Sequence, residues 1–126
     1  MAAGDVLSGA DRASLDETIR KAEQLSRAEF SVFVGHADGE DARAFATSLH
    51  NTLVAPSRSI LIMVDPGRRS LEVVTGGFVR RTLDDVQVEL AIETMTRSFG
   101  EGDLTGGLRR GIQHLAEHAR ATAKTG

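Results

Sequence analysis

The 126-residue sequence contains no cysteine, tryptophan or tyrosine, and phenylalanine, at five positions, is its only large aromatic residue. Without cysteine there is no disulfide framework, no cysteine-bound zinc or iron–sulfur cluster and no thiol catalysis. The scarcity of aromatic side chains disfavours a surface that stacks sugars or single-stranded nucleic acid. A formal net charge of −3 also disfavours nucleic acid, because a polyanion binder should be basic. We therefore expect no nucleic-acid partner.

Long hydrophobic runs are also missing, and none approaches the roughly 20 residues of a membrane-spanning helix. Residues 1–13 include two aspartates and lack the apolar segment of a signal peptide. As it stands, the sequence predicts a cytoplasmic protein, and the alternative is a domain trimmed from an exported or membrane-anchored one. The length fits one domain. We expect a flexible N-terminus at 1–13, a folded domain at 14–120 and a flexible tail at 121–126.

Apolar spacing and capping residues predict four helices and three strands, in the order α-β-α-β-β-α-α. A capping box of Ser14 and Glu17 predicts that the first helix begins at Leu15. Thr82 is predicted to cap the third helix, whose apolar positions cover a wide arc typical of deep burial. The predicted strands lie at 30–34, 59–64 and 71–75, and the helices at 15–27, 42–53, 83–99 and 108–119.

The connections between the predicted strands determine the fold class. A right-handed crossover through the second helix makes the first two strands parallel. Pro66 and Gly67 stand where a type II turn prefers them, so the third strand returns antiparallel. The segment 60–64 is apolar on both faces, which indicates a central strand covered on both sides. The sequence therefore predicts an α/β fold, a three-layer α/β/α sandwich in which helices cover both faces of a small mixed sheet.

Several segments between Leu15 and Ala119 resemble the TPM domain, a family that includes a thylakoid lumen acid phosphatase and many bacterial membrane-associated proteins. They are L-D-E-T-I-R-K-A-E, A-E-F-S-V-F-V, S-I-L-I-M-V-D-P-G-R-R-S-L-E-V-V-T-G-G, G-G-F-V-R-R-T-L-D-D and F-G-E-G-D-L-T-G-G-L-R-R-G. More narrowly, V-D-P-G-R, R-x-L-D-D and G-D-L-x-G-G-L are similar to a bacterial family of unknown function with the same fold. The sequence departs from the TPM pattern at 56–59, where Asn/Asp-Gly is usual, and at Leu104, where an aromatic residue is usual.

Acidic residues follow the predicted strands. Asp38, Asp41 and Asp65 come after the carboxyl ends of two parallel strands, and the third helix is long enough to return Asp103 to the same edge. Carboxylates grouped in this way suit Ca²⁺ or Mg²⁺. The TPM resemblance implies calcium, first at Asp65 and Asp103, and our predicted metal ligands are Asp38, Asp65 and Asp103. The alternative is that these aspartates cap helices or begin turns.

A second candidate site lies before the third helix. Gly76 and Gly77 permit close backbone approach, and Arg80 and Arg81 can clamp an anion such as phosphate. The alternative is that the glycines only end a strand. Two aspartates at the start of the next helix also occupy the place of an anion.

A pair of histidines on the fourth helix forms a third candidate. His114 and His118 are four residues apart and can share a metal ion, although the sequence indicates no third ligand. His118 is equally well explained as a partner of the helix dipole.

Three functions remain open from the sequence. The leading hypothesis is a non-catalytic binding or scaffold module whose protein partner belongs to a membrane-associated complex, because no convergent catalytic set is visible. The second is a divalent-metal-dependent acid phosphatase, which the TPM resemblance and the acidic residues favour. The third is a calcium-responsive structural domain.

Overall fold

Seven helices and strands follow one another in the predicted order in the computed structural model, which describes residues 7–120. The helices are α1 (Gly9–Ser26), α2 (Ala42–Asn51), α3 (Asp85–Gly100) and α4 (Leu104–Ala119). The strands are β1 (Glu29–Val34), β2 (Ser59–Asp65) and β3 (Ser70–Thr75). Short 3-10 turns at Pro56–Arg58 and Val79–Arg81 precede β2 and α3. The predicted flexible tail, 121–126, and residues 1–6 of the predicted flexible N-terminus lie outside the described residues.

The sheet has the strand order β1-β2-β3 and is mixed, as predicted. β1 pairs parallel to β2 with Phe30 opposite Ile60, and β2 pairs antiparallel to β3 with Ile62 opposite Val73. Every residue of β2 is buried, because this central strand has a neighbour on each side and helices on both faces.

Alternating residues of β2 face two separate cores. Ile60, Ile62 and Val64 belong to the larger core, which α1, α3 and α4 cover, and Leu61 and Met63 belong to a smaller core under α2. The α/β/α sandwich is therefore confirmed, with three helices on one face of the sheet and one on the other. None of the described helices combines the length and the hydrophobicity that a membrane crossing needs.

The predicted start of α1 was wrong, because the helix begins at Gly9 rather than Leu15. The Ser8 hydroxyl accepts a hydrogen bond from the Asp11 amide at 3.0 Å, and the Asp11 carboxylate accepts one from the Ser8 amide at 3.2 Å. This earlier capping box satisfies the helix start, so Ser14 lies inside the helix and its carbonyl accepts from the Thr18 hydroxyl.

The turn between β2 and β3 is not of type II. Gly67 has a negative φ, and Arg69 instead adopts the left-handed conformation, with φ of 53°. The amides of Arg68 and Arg69 donate to the carbonyls of Asp65 and Pro66. Asp65 pairs with Ser70, so the loop has four residues, two more than a type II hairpin turn. The Arg68 side chain lies over the end of the sheet.

The start of α3 also differs from the prediction. Asp84 caps the helix by accepting from the Gln87 amide, and the Thr82 hydroxyl donates to the carbonyl of Ala119 at the end of α4. The buried stripe of α3 is narrower than its apolar pattern suggests, since Val86 is 62% exposed. This leaves an apolar side chain at the surface near the α3 start.

Candidate functional site

Asp65, a predicted metal ligand at the carboxyl end of β2, is buried and only 2% exposed. Its Oδ2 accepts a hydrogen bond from the Ala37 amide at 2.9 Å, and its Oδ1 accepts one from the Arg68 amide at 3.3 Å. Burial raises the pKa of Asp65, but the two backbone hydrogen bonds, together with the nearby His36 and Arg68 side chains, outweigh it and hold the pKa below its ordinary value. Both carboxylate oxygens are therefore engaged with the backbone of this chain.

Arg68 fastens the loop between β1 and α2 to the same sheet end. Its guanidinium donates to the carbonyls of Ala37, Gly39 and Glu40 at 2.7, 2.8 and 2.9 Å. In the sequence, the adjacent Arg68 and Arg69 predict a solvated hairpin tip, and for Arg68 these three hydrogen bonds show that prediction to be wrong. Since Asp65 binds the Ala37 amide and Arg68 binds the Ala37 carbonyl, the two side chains hold one loop from both sides.

His36 lies between two of the predicted metal ligands. Its Nδ1 is 3.6 Å from Oδ2 of Asp65, and its Nε2 is 4.0 Å from Oδ1 of Asp38. The Asp38 side chain is 86% exposed. Asp38 and Asp65 therefore lie at one end of the sheet, but they differ in burial, and an imidazole separates them.

The other acidic candidates cap helices. Asp41 accepts from the Ala44 amide at the start of α2, and Asp103 accepts from the Gly106 amide at 2.9 Å at the start of α4. Arg110 lies 3.1 Å from the second oxygen of Asp103. The Gly106 amide and the Arg110 guanidinium lower the pKa of Asp103. Asp103 is thus an ionised cap with its own cationic partner.

A metal centre built from three protein ligands is not formed by the described part of the chain. Among residues 7–120, no group of three or more histidine, aspartate or glutamate side chains is placed to hold a metal ion. The Ca²⁺ or Mg²⁺ site at Asp38, Asp65 and Asp103 therefore stays a prediction, and a cation titration is its test.

Gly76, from the predicted anion site, lies directly against the 3-10 turn that precedes β2. A Cβ atom at this position would overlap the carbonyls of Pro56 and Ser57, whereas one at Gly77 would meet only Arg80 and Ser57 side-chain atoms, at 3.9 and 4.0 Å. The Gly76 amide donates to the Ser59 carbonyl at 2.9 Å. Gly76 is therefore needed for a close backbone approach within the protein.

The residues after this glycine pair form an exposed cationic and aromatic surface. Phe78 is 50% exposed, and the guanidinium carbons of Arg58 and Arg81 lie 5.4 and 5.2 Å from the centre of its ring. We call Arg58, Phe78 and Arg81 the arginine–phenylalanine patch. Arg80 points elsewhere and donates to the carbonyl of Thr75. The predicted anion-binding arginines therefore have different surroundings, and Arg81 is the one that contributes to the patch.

Sequence reasoning missed two members of this patch. The Phe78 amide donates to the carbonyl and the hydroxyl of Ser57, at 3.0 and 3.1 Å, which brings the 3-10 turn beside the ring and places Arg58 over it. Phe78 follows the glycine pair in G-G-F-V-R-R, so an aromatic residue inside a glycine- and arginine-rich loop was an available signal. No local sequence signal connects Arg58 with Phe78, because Arg58 lies 20 residues before it in the chain.

The chain matches the domain of unknown function DUF5130 over residues 5–116. It belongs to this family. The DUF5130 domain is 26% identical over 107 residues to the uncharacterized proteins Rv2468c and MT2543 from two strains of Mycobacterium tuberculosis. The alignments cover 85% of this chain and 64% of each relative, so the chain spans somewhat less than two thirds of those proteins.

Solved structures share the fold of the DUF5130 domain at low sequence identity. The BA42 protein from Bizionia argentinensis matches with a TM-score of 0.81 and 17% identity, over 90% of this chain and 81% of that one. An N-terminal domain of a protein from P. gingivalis gives 0.77 and 18%, over 89% and 75% of the two chains. The N-terminal domain of cg2496 from Corynebacterium glutamicum gives 0.73 and 13%, over 95% and 78%. These likenesses concern the fold alone.

Proposed function

We propose that this DUF5130 domain is a non-catalytic binding module that receives an acidic segment of a protein partner on the arginine–phenylalanine patch. The observation that carries the proposal is a half-exposed aromatic ring, Phe78, whose centre lies 5.4 and 5.2 Å from the guanidinium carbons of Arg58 and Arg81. Arginine and aromatic residues are enriched at the centres of protein interfaces, where they supply large contact area and directed hydrogen bonds.

The charges around the patch favour an acidic partner. Within residues 7–120, neither Arg58 nor Arg81 has a carboxylate within 4.0 Å, whereas Arg43 and Arg110 each pair with one. The whole chain carries a net charge of −3, so this patch is a local cationic surface on an acidic protein. Complementary charge steers association and selects partners, and a carboxylate-bearing segment supplies that complement.

The setting of the module follows from the TPM resemblance. We propose that the domain is TPM-like and acts within a membrane-associated complex, as many bacterial TPM proteins are membrane-associated. This part of the proposal rests on the sequence motifs between Leu15 and Ala119. Together with the charge of the patch, it leads us to propose a partner protein that has an exposed acidic segment and belongs to such a complex.

The geometry favours binding over phosphoryl chemistry. A phosphatase needs an accessible carboxylate or a metal-bound water to attack phosphorus. Asp65 is buried with both oxygens bonded to backbone amides, and Asp103 is paired with Arg110. We expect no phosphomonoester turnover with Mg²⁺, Mn²⁺ or Ca²⁺ between pH 5 and 8. Turnover that Asp65→Ala or Asp103→Ala abolishes would replace the binding module by the phosphatase.

The calcium-responsive alternative has one favourable observation, the exposed carboxylate of Asp38 beside the buried carboxylate of Asp65. A cation that binds only the folded state must raise the thermal midpoint by mass action. A midpoint that rises with millimolar Ca²⁺ and no longer rises in Asp38→Asn would establish this alternative. A midpoint unmoved by Ca²⁺ would remove it.

The binding proposal is tested by titrating the ¹⁵N-labelled domain with an eight-residue glutamate-rich peptide. We expect saturable amide shifts centred on Phe78 and Arg81, and weaker binding as salt screens the charges. Arg81→Glu should weaken the affinity at least about tenfold, or about 1.4 kcal/mol. Arg20→Glu is the matched control, since Arg20 is an exposed arginine on α1 and the charge change is the same. Equal affinities of the two variants, or shifts spread over other arginines, would overturn the proposal.

A further inference from the structure

The two histidines of α4 lie side by side on its surface. His114 and His118 are one helical turn apart, and their ring centres are 4.5 Å from each other with the planes tilted by 40°. Residues four apart on a helix share a face, so both imidazoles project in the same direction. We propose that His114 and His118 chelate one Zn²⁺ ion on the surface of α4, with water molecules completing the coordination.

The spacing of the rings suits a shared ion. Zinc–nitrogen bonds in proteins are about 2.0–2.1 Å long, so two nitrogens on one tetrahedral ion lie roughly 3–3.5 Å apart. With ring centres 4.5 Å apart, one nitrogen of each imidazole can approach a shared ion. Histidines at positions i and i+4 of a helix are also the spacing of the H-x-x-x-H pair in zinc enzymes.

A residue of α3 orients one of the two ligands. Nε2 of His114 lies 2.9 Å from Oε1 of Gln87. With its proton on Nε2, His114 donates to this amide oxygen, and Nδ1 keeps the lone pair that binds a metal. Metal-binding histidines almost always donate their second ring nitrogen to an oxygen in this way, which fixes the tautomer and the ring plane. Gln87 is therefore a positioning residue.

The electrostatics of the pair favour a metal-binding imidazole. The His114 ring is partly buried and lies beside the His118 ring, and both surroundings disfavour a charged imidazole. Neutral imidazole is the form that binds metal. Two nitrogen donors select Zn²⁺ and its transition-metal neighbours over Ca²⁺ and Mg²⁺, which prefer oxygen. Glu117, on the same helix, lies 3.6 Å from Arg120 and is thus already paired.

The site has two protein ligands, and within residues 7–120 no third histidine or carboxylate joins them. Zn²⁺ bound there keeps open positions for water or for a ligand from another molecule. This inference is independent of the arginine–phenylalanine patch, because it rests on different residues and a different chemistry.

The experiment is a titration of the ¹⁵N-labelled domain with ZnCl₂, monitored at the imidazole and backbone signals and by calorimetry. We expect one Zn²⁺ per chain, with the largest shifts at His114 and His118. His118→Gln should weaken binding at least about tenfold, and Gln87→Leu should weaken it by about tenfold through lost orientation. His36→Gln is the control, because His36 is the exposed histidine of a different loop, and it should bind Zn²⁺ like the unmodified protein.

Two results would overturn the inference. One is a Zn²⁺ titration without saturation at His114 and His118. The other is unchanged affinity in His118→Gln together with lost affinity in His36→Gln, which would place the ion beside Asp38 and Asp65. His118 is exposed, so His118→Gln should keep the fold, and its circular dichroism spectrum checks this. CaCl₂ and MgCl₂ should leave both rings unshifted.

Discussion

The two ends of the β2–β3 ladder differ in what their charged side chains do. At the turn end, Asp65 and Arg68 are bonded to backbone groups of the loop after β1. At the open end, Arg58 and Arg81 lie over Phe78 at the surface and have no carboxylate partner within residues 7–120. The difference shows that an ionisable residue near a strand end is a site candidate only when its polar atoms remain available.

The physical reason for this difference is the cost of burying charge. A buried carboxylate is stable only if its oxygens accept hydrogen bonds. Both oxygens of Asp65 therefore accept hydrogen bonds from backbone amides of the protein. A metal or a substrate would have to reach a side chain that is 2% exposed and already accepts hydrogen bonds from the amides of Ala37 and Arg68. An exposed guanidinium has no such requirement, because water solvates it until a partner arrives. The proposed recognition surface therefore lies at the open end, and the turn end anchors the loop after β1.

The largest stability effect is expected from Gly76→Ala, which tests how rigidly the open end is held. The new Cβ would overlap the backbone carbonyls of Pro56 and Ser57, so the turn beneath the patch must move. We expect a loss of about 3 kcal/mol, the upper part of the range for overpacking. Gly77→Ala is the matched control and should cost less than about 0.5 kcal/mol, since no atom lies within 3.9 Å of its Cβ position.

Denaturant unfolding of the two glycine variants measures this difference. Equal losses of unfolding free energy in the two variants would mean that the 3-10 turn at Pro56–Arg58 can move aside at little cost. The open end would then be held less firmly than the hydrogen bonds of Gly76 and Phe78 indicate.

The second effect, at the turn end, is that of Asp65→Asn. The amide side chain keeps one acceptor oxygen, but its NH₂ group faces a backbone amide that also donates. One buried donor is left unsatisfied, which costs about 2 kcal/mol. Asp38→Asn changes an exposed carboxylate of the same region and should cost less than about 0.5 kcal/mol. If Asp38→Asn were the more damaging change, the loop would depend on its surface charges rather than on the buried carboxylate.

The stability difference between the protein and Asp65→Asn should depend on pH. The pKa of Asp65 in the folded state lies below its ordinary value of 3.8, because the amide hydrogen bonds and the nearby His36 and Arg68 together outweigh burial. The resulting stability is fully present above the unfolded-state pKa and is lost as the pH falls through the folded-state pKa. The difference should therefore be constant from pH 7 to about 5 and narrow below about pH 4. Because Asp103 titrates in both proteins, the subtraction removes the contribution of Asp103. A difference that persists unchanged at pH 2.5 would contradict this assignment.

The sequence was sufficient for the fold because its evidence is local or periodic. The run at 60–64 is apolar on both faces, and that pattern alone predicts a central strand between two helical layers. Errors arose where two local signals competed. Both Ser8 and Ser14 begin a capping pattern, and the earlier one starts α1.

The candidate site was less predictable because its contacts join distant segments. Arg68 donates hydrogen bonds to carbonyls 28 to 31 residues earlier in the chain, and no local sequence pattern predicts such distant contacts. Asp103 was correctly given a capping role as the alternative to a metal ligand, because that role depends only on the three residues that follow it. The sequence could not distinguish Asp38 from Asp65, because both follow the end of a strand. The structure distinguishes them by burial, since Asp38 is exposed and Asp65 is buried.

The smallest effect is expected at the open end, from Arg81→Ala. Its guanidinium contributes one exposed cation–π contact, worth about 0.5–1 kcal/mol, and it forms no ion pair within the described chain. Unfolding should therefore be easier by no more than about 1 kcal/mol, while the affinity for a glutamate-rich peptide falls about tenfold. That divergence is the signature of a side chain kept for recognition. A stability loss above about 2 kcal/mol would instead show that Arg81 stabilises its own loop. The charged side chains at both ends of the ladder would then have the same role, which is to hold a loop in place.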